Sequence, residues 1–425
     1  MPLYLLKLLL SSWQCLMKNK FIKRLSFMGL NTISNLIVSA TGMIVSLIVI
    51  RLFSNELWGE TVYIFLWVNI AAHFASWGSK DFLLRAFSET PSKSAENWGS
   101  VFTARILLIL PFIFLPFFLK LNMQGSIALS ILIIARFIYK SYDVIILYQR
   151  KFIFTIIFEL LALSIVASGI LLYRKKLDIN FLVICFSAAE TIKALLVVLR
   201  FWREYKLRNF AITDKNFYTS AFPFFVLGFS GLLQSKADLL LVSFFLDKSI
   251  LSQYQVAMNC FLIVQSGSAF MLSPFIKNLY RLDYNRMKKI SVRLFLAGVV
   301  ILLFAMPSIF FGLTWIYKFE LSWYSIFLGG TFVVPIYIYL PYIYFLYKIK
   351  KQNIIIAINI GGIGISVLSG IVFIPVFGPG YDGALLSIAL TQWLILFSLQ
   401  FITKRIQSNL KWSQSNILSE GIIGT

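Results

Sequence analysis

The sequence predicts an all-α polytopic membrane protein, with about twelve transmembrane helices in two parallel six-helix bundles around a central cavity. Three observations predict it. The 425-residue chain is 59% hydrophobic and only 13% charged, with a mean hydropathy of +0.83. Soluble domains are nearer a quarter charged, so this much apolar surface needs lipid as its solvent. Apolar runs long enough to cross roughly 30 Å of hydrocarbon, which takes about 20 helical residues, recur along the whole chain. The basic residues fall mostly between those runs.

The runs lie near 27–52, 61–79, 99–119, 123–148, 152–173, 178–201, 218–246, 250–274, 291–316, 322–347, 352–376 and 381–403. Residues 1–26 precede them as a cytoplasmic segment. Within it, LYLLKLLL at 3–10 is apolar but has no basic flank before it and no small-x-small site after it, so no cleavable signal peptide is evident. MKNKFIKRLSF from Met17 reads like a natural start. That leaves residues 1–16 as either an interfacial amphipathic segment or an over-extended start. The first run ends at Arg51, and a polar turn with Ser54, Asn55, Glu56, Gly59 and Glu60 separates it from the second.

The longest central link, REYKLRNFAITDKNF at 203–217, divides a six-run unit at 27–202 from another at 218–403, with a cytoplasmic tail at 404–425. Both units open alike, at 46–68 and 238–261: apolar helix end, polar turn, next helix rich in or opened by an aromatic. Six crossings per unit are even, so both units start on the same side and form parallel repeats. With the N-terminus cytoplasmic, 28 of the 39 basic residues fall on inner segments and 7 on outer ones. That bias places both termini inside. Arg174-Lys175-Lys176 is a local exception on the outer side.

A net charge of +22 in a soluble chain would suggest nucleic acid; here topology accounts for it, and no nucleic-acid partner is expected. Cys15, Cys185 and Cys260 are scattered, and no C-x-x-C occurs. The single histidine, His73, sits in an apolar run, where a polar packing role competes with any catalytic one. A Cys/His metal site or a His-based catalytic unit is therefore disfavoured, and neither a cofactor nor an enzyme activity is expected.

The informative residues are charges inside the apolar runs. A Lys or Arg near the bilayer centre costs about 2.5–3.5 kcal/mol on insertion scales, so it persists by pairing or by facing a cavity. In the fourth run Arg136, Lys140 and Asp143 share one face at i, i+4, i+7. Glu159 in the fifth lies at similar depth. Glu190 and Lys193 in the sixth are i, i+3. Lys236 and Asp238 in the seventh are i, i+2 and point to nearly opposite sides. Arg105 lies one or two turns inside the third run, where it lines a cavity or snorkels to the surface. Two readings stand: a hydrated, net cationic cavity, or charges paired locally that only join helices. Pro111, Pro116, Pro223, Pro307, Pro335 and Pro341 interrupt the runs, which suits a bundle whose halves rock. Gly361-Gly362 is no phosphate loop, since no strand precedes it and no Gly-Lys-Ser/Thr follows.

Arg51-Leu52-Phe53-Ser54, with Glu56, Trp58 and Gly59 after an apolar helix, resembles the opening of polysaccharide flippases. These are Wzx-type O-antigen transporters of the multidrug/oligosaccharidyl-lipid/polysaccharide exporter superfamily. Gly78-Ser79 with Leu84-Arg85, Asp238-Leu239-Leu240-Leu241-Val242 with Tyr254, Ser273-Pro274 with Leu279-Tyr280, and Ile374-Pro375-Val376-Phe377-Gly378 with Gly383-Ala384 resemble further motifs of that family. The resemblance covers almost the whole chain. It implies a monomeric bacterial inner-membrane flippase that carries undecaprenyl-diphosphate-linked oligosaccharide repeat units between leaflets by alternating access. Its partners would be that glycan, membrane lipids, H+ or Na+, and a polysaccharide polymerase.

Arg51, Arg105, Arg136, Lys140, Lys193 and Lys236 are then the candidate substrate-binding residues, and Glu159, Glu190 and Asp238 the candidate coupling or counter-ion residues. Arg51 is a gate or diphosphate contact, or else a snorkelling anchor paired with Glu56 or Glu60. A cation-coupled multidrug exporter of the same superfamily is the main alternative. A polysaccharide polymerase or ligase is disfavoured because no outer loop exceeds about ten residues.

Overall fold

The computed structural model describes residues 20–423, apart from 120, 174–177, 206–215, 273–282, 350 and 379. Cys15, Arg174-Lys175-Lys176, most of the 203–217 link and the Ser273-Pro274 and Leu279-Tyr280 motifs lie outside the described residues.

Among the described residues the chain is helical and contains no strand. The helices are α1 (Lys20–Leu52), α2 (Asn55–Ser76), α3 (Ser79–Glu89), α4 (Ser94–Ile113), α5 (Met123–Gln149), α6 (Phe152–Leu172) and α7 (Ile179–Phe201). The second half continues with α8 (Asn216–Phe245), α9 (Lys248–Leu272), α10 (Tyr284–Phe311), α11 (Trp323–Lys348), α12 (Gln352–Val376) and α13 (Asp382–Ile423). Ten of these, α1, α4 and α6 to α13, are long and apolar enough to cross a membrane by length and composition. Large apolar side chains such as Leu172, Leu199, Phe304 and Leu368 stand exposed on their outer faces, as a lipid-facing surface requires. The helices α2 and α5 are of similar length and line the cavity described below.

Two elements differ from the sequence reading, each for a local reason. The supposed polar turn at 54–60 is mostly helix. Ser54 is an N-cap whose hydroxyl accepts the Leu57 N–H at 3.2 Å, so α2 starts at Asn55. Helix α3 was not expected. It is short and amphipathic, burying Leu83 and Phe87 while exposing Arg85 and Glu89, which pair at 2.8 Å. Helix α13 also runs on through 404–423, the span read as the cytoplasmic tail.

Helix packing repeats between the halves. Helix α1 lies against α6 as α8 lies against α12. Helix α5 packs on α7 as α11 packs on α13, and α6 on α7 as α12 on α13. Successive long helices run antiparallel, so the bundle has a near end, where α1 starts, and a far end, where it stops.

The halves meet at both ends. At the far end α2 crosses α9 at Gly59, where an added Cβ would lie 1.8 Å from the Lys248 carbonyl oxygen, so only glycine fits. Beside it the Trp58 indole N–H donates to Gln255 Oε1 at 3.1 Å. At the near end the chain turns through Trp77 and Gly78, both at positive φ (45° and 67°). Trp77 stacks on Phe225 of α8 at 4.3 Å and donates to the Tyr218 carbonyl at 3.1 Å. His73, one turn earlier, lies between Phe225 and Phe229, each at 5.6 Å. It is a packing residue of this seam.

Candidate functional site

Between these two seams lies a cavity of about 470 Å³. One wall is a stripe of α1: Asn31, Ser34, Asn35, Val38, Thr41, Gly42 and Val45, at the 3.6-residue spacing of a single helix face. Helix α2 adds Trp58, Phe65 and Asn69. Helices α5, α6 and α7 add the charged wall, and α8 and α9 contribute Lys236 and Gln255. Lys80 of α3 and Asp143 of α5 mark its near-end side and pair at 3.3 Å.

Five basic residues line this cavity, Lys80, Arg136, Lys140, Lys193 and Lys236, against three acidic ones, Asp143, Glu159 and Glu190. The helical offsets explain the grouping. Arg136, Tyr139, Lys140 and Asp143 occupy one face of α5, so one helix presents most of the charge.

The deepest charges form a network across three helices. The Lys193 ammonium donates to Glu159 Oε1 at 2.7 Å and to Glu190 Oε1 at 3.4 Å. Its nitrogen also stands 4.6 Å from the centre of the Tyr139 ring. Arg136 reaches the same Glu190 oxygen at 4.0 Å and donates to Asn69 Oδ1 at 3.2 Å. The Lys193, Glu159 and Glu190 side chains are only 7%, 10% and 14% exposed, so these charges are held by one another rather than by bulk water. The second Glu190 oxygen is buried without a hydrogen-bond partner. By contrast, neither Lys140 nor Lys236 makes a hydrogen bond or ion pair among the described residues, although both line the cavity. The charged wall therefore holds a paired network, with one Glu190 oxygen left over, and two cations outside it.

Of the nine candidates from the sequence, six line the cavity: Arg136, Lys140, Lys193, Lys236, Glu159 and Glu190. Three lie elsewhere. Arg51 is at the far end and donates to the Trp315 carbonyl at 3.3 Å, tying α1 to the one-turn π-helix (Gly312–Ile316) that follows α10. It makes no ion pair with Glu56 or Glu60. Arg105 neither lines the cavity nor snorkels. It is buried, donating to the Ala75 carbonyl at 2.8 Å and Ser141 Oγ at 3.1 Å, with its guanidinium over the Phe137 ring. Asp238 does not line the cavity and makes no ion pair with Lys236; it accepts the hydroxyl of Tyr254 on α9.

Lys80, Asn31, Asn35 and Asn69 were not singled out from the sequence. The α1 asparagines had a signal there, an i, i+4 pair inside an apolar run. Lys80 had none, because its approach to Asp143 depends on the unforeseen helix α3.

No family model matches the chain, and no curated protein matches it either. Solved structures do. The lipid II flippase MurJ, in an inward closed conformation, superimposes with a TM-score of 0.66 at 16% identity, over 88% of this chain and 87% of that one. An inward-facing multidrug resistance transporter of the MATE family, in the MOP superfamily, gives 0.60 at 12% identity over 88% and 96%. A MOP-superfamily transporter from Pyrococcus furiosus, described by a binding pocket of reversed polarity, gives 0.52 at 11% identity over 93% and 98%. At such identities the likeness is one of fold. The chain is a multi-pass membrane protein with the fold of MOP-superfamily transporters.

Proposed function

We propose that this protein is a flippase that moves an anionic, lipid-linked cargo between leaflets by alternating access. The cargo would be an undecaprenyl-diphosphate-linked oligosaccharide repeat unit destined for surface polysaccharide such as O-antigen. The membrane would be a bacterial inner membrane with both termini cytoplasmic, so the near end faces the cytoplasm. The observation that carries the reading is the excess of cations in the cavity, with Lys140 and Lys236 outside the ion-paired network. A diphosphate cannot cross hydrocarbon bare. Charge-assisted hydrogen bonds of about 1.5–3 kcal/mol each can replace its water. The lipid-carrying function of MurJ and the basic bias of the near end support the same reading.

A second reading is a cation-coupled small-molecule exporter. Asp238 favours it: the residue is buried, and its Oδ1 has no partner. One experiment separates the two. The gene is deleted in its host and complemented with wild type, Lys140→Ala or Lys236→Ala at matched membrane levels. The flippase reading expects lost surface polysaccharide, accumulated lipid-linked units and failure of both variants. Intact polysaccharide with raised drug sensitivity establishes the exporter instead.

A further inference from the structure

We propose that the start of α10 is a binding site for an anionic phospholipid headgroup. Arg286, Lys289 and Arg293 are spaced i, i+3, i+7 and are all exposed. The same helix face continues through Leu296, Val300, Leu303 and Phe304, which are 58%, 54%, 67% and 73% exposed. The opposite face buries Met287, Ser291, Leu294 and Gly298 against the bundle. The basic residues thus stand at the head of a lipid-facing apolar stripe.

Side chains on an α-helix lean toward its N-terminus. Arg293, inside the apolar zone, therefore reaches back toward Lys289 and Arg286, and the three cations converge where a lipid phosphate lies. Acyl chains then run along Leu296 to Phe304.

The general basic bias of the near end explains how many cations lie there, not how these are placed. In the first half four near-end cations have protein counter-ions: Lys80 with Asp143 at 3.3 Å, Arg85 with Glu89 at 2.8 Å, and Lys151 and Arg200 with Glu204 at 3.5 and 3.8 Å. Arg286, Lys289 and Arg293 have no hydrogen bond or ion pair among the described residues. The adjacent acid, Asp283, pairs with none of them. A phospholipid of net negative charge supplies what the protein does not. Each cation at a membrane surface is worth about 1 kcal/mol, or roughly five-fold in affinity.

The test is lipid retention by the purified full-length chain, read by native mass spectrometry after exchange into phosphatidylglycerol or phosphatidylcholine with the same acyl chains. Wild type is expected to retain phosphatidylglycerol at least about five-fold better. The Arg286→Gln/Lys289→Gln/Arg293→Gln variant is expected to lose that preference, while Lys151→Gln/Arg200→Gln keeps it. Equal retention of both lipids by wild type, or an undiminished preference in the triple variant, overturns the proposal. A photoactivatable phosphatidylglycerol probe on wild type provides a reading that no variant's folding affects. Crosslinks within 284–304 support the site, and crosslinks confined to other segments overturn it.

Discussion

Helices α5 and α11 hold matching places in the two halves, one packed on α7 and the other on α13. Their sequences match at a constant offset: Ile138, Tyr139 and Tyr142 of α5 recur as Ile338, Tyr339 and Tyr342 of α11. The positions of Arg136, Lys140 and Asp143 are instead held by Ile336, Leu340 and Ile343. The neighbouring helix changes in step. Tyr139 lies beneath the Lys193 ammonium, whereas the Tyr339 hydroxyl donates to the amide oxygen of Gln392 at 2.9 Å. The second half also has a pocket, of about 440 Å³ between α12 and α13, but residues such as Ile358, Gly362, Ile365 and Leu394 line it and no charge does. The same helix pairing thus tolerates an ionic or a neutral interior. Buried ion pairs can often be replaced by apolar groups without loss of stability. The helix pairing itself therefore does not require the charges of the first half.

The sharpest way to break this comparison is to unbalance the ionic half. Lys193→Met strands Glu159 and leaves Glu190 with only the 4.0 Å approach of Arg136. It should cost about 3–5 kcal/mol, because breaking a buried pair leaves uncompensated charge. Titration with a denaturing detergent, followed by tryptophan fluorescence, measures it; a loss under 1 kcal/mol would mean that water already solvates the network. The matching change in the neutral half is smaller. Gln392→Leu leaves the Tyr339 hydroxyl without its acceptor and should cost about 1–3 kcal/mol in the same assay. A larger loss for Gln392→Leu than for Lys193→Met reverses the comparison. The smallest expected effect is that of Lys140→Gln. Lys140 has no hydrogen bond or ion pair to lose, so stability should stay within about 0.5 kcal/mol while the transport phenotype falls. A large destabilisation would give Lys140 a structural role.

These differences were only partly legible in the sequence. Helix positions were, because hydrophobic runs and the spacing of Lys and Arg record membrane crossings directly. The cavity wall was readable wherever several charges shared one helix, as in α5, since i, i+4 and i+7 fix a face. Partnerships between helices were not. That Lys193 would take Glu159 as well as Glu190, and that Arg105 would end on the Ala75 carbonyl, depends on how three or four helices rotate against one another. Nothing in a single run encodes that rotation. The start of α2 was missed for a smaller reason: Ser54 was read as part of a turn rather than as a cap. The match between α5 and α11 was present in the sequence all along. It becomes meaningful once the packing shows that the two helices correspond.

The far-end seam has a consequence in terms of ionic strength. Its closest approach, Gly59 on the Lys248 backbone, is a contact between main chains, supported by the neutral Trp58–Gln255 hydrogen bond. Across the same seam the Lys248 ammonium stands 3.7 Å from the centre of the Tyr63 ring, a cation–π contact that adds to the main-chain one. At the near end the cavity is flanked by the Lys80–Asp143 pair, whose side chains are 53% and 25% exposed, and the Debye length falls from about 10 Å at 0.1 M salt to about 3 Å at 1 M. Salt therefore acts most directly on the Lys80–Asp143 pair. Spin labels on α3 and α5 should report a salt-dependent separation, while a pair spanning α2 and α9 at the far end should move less.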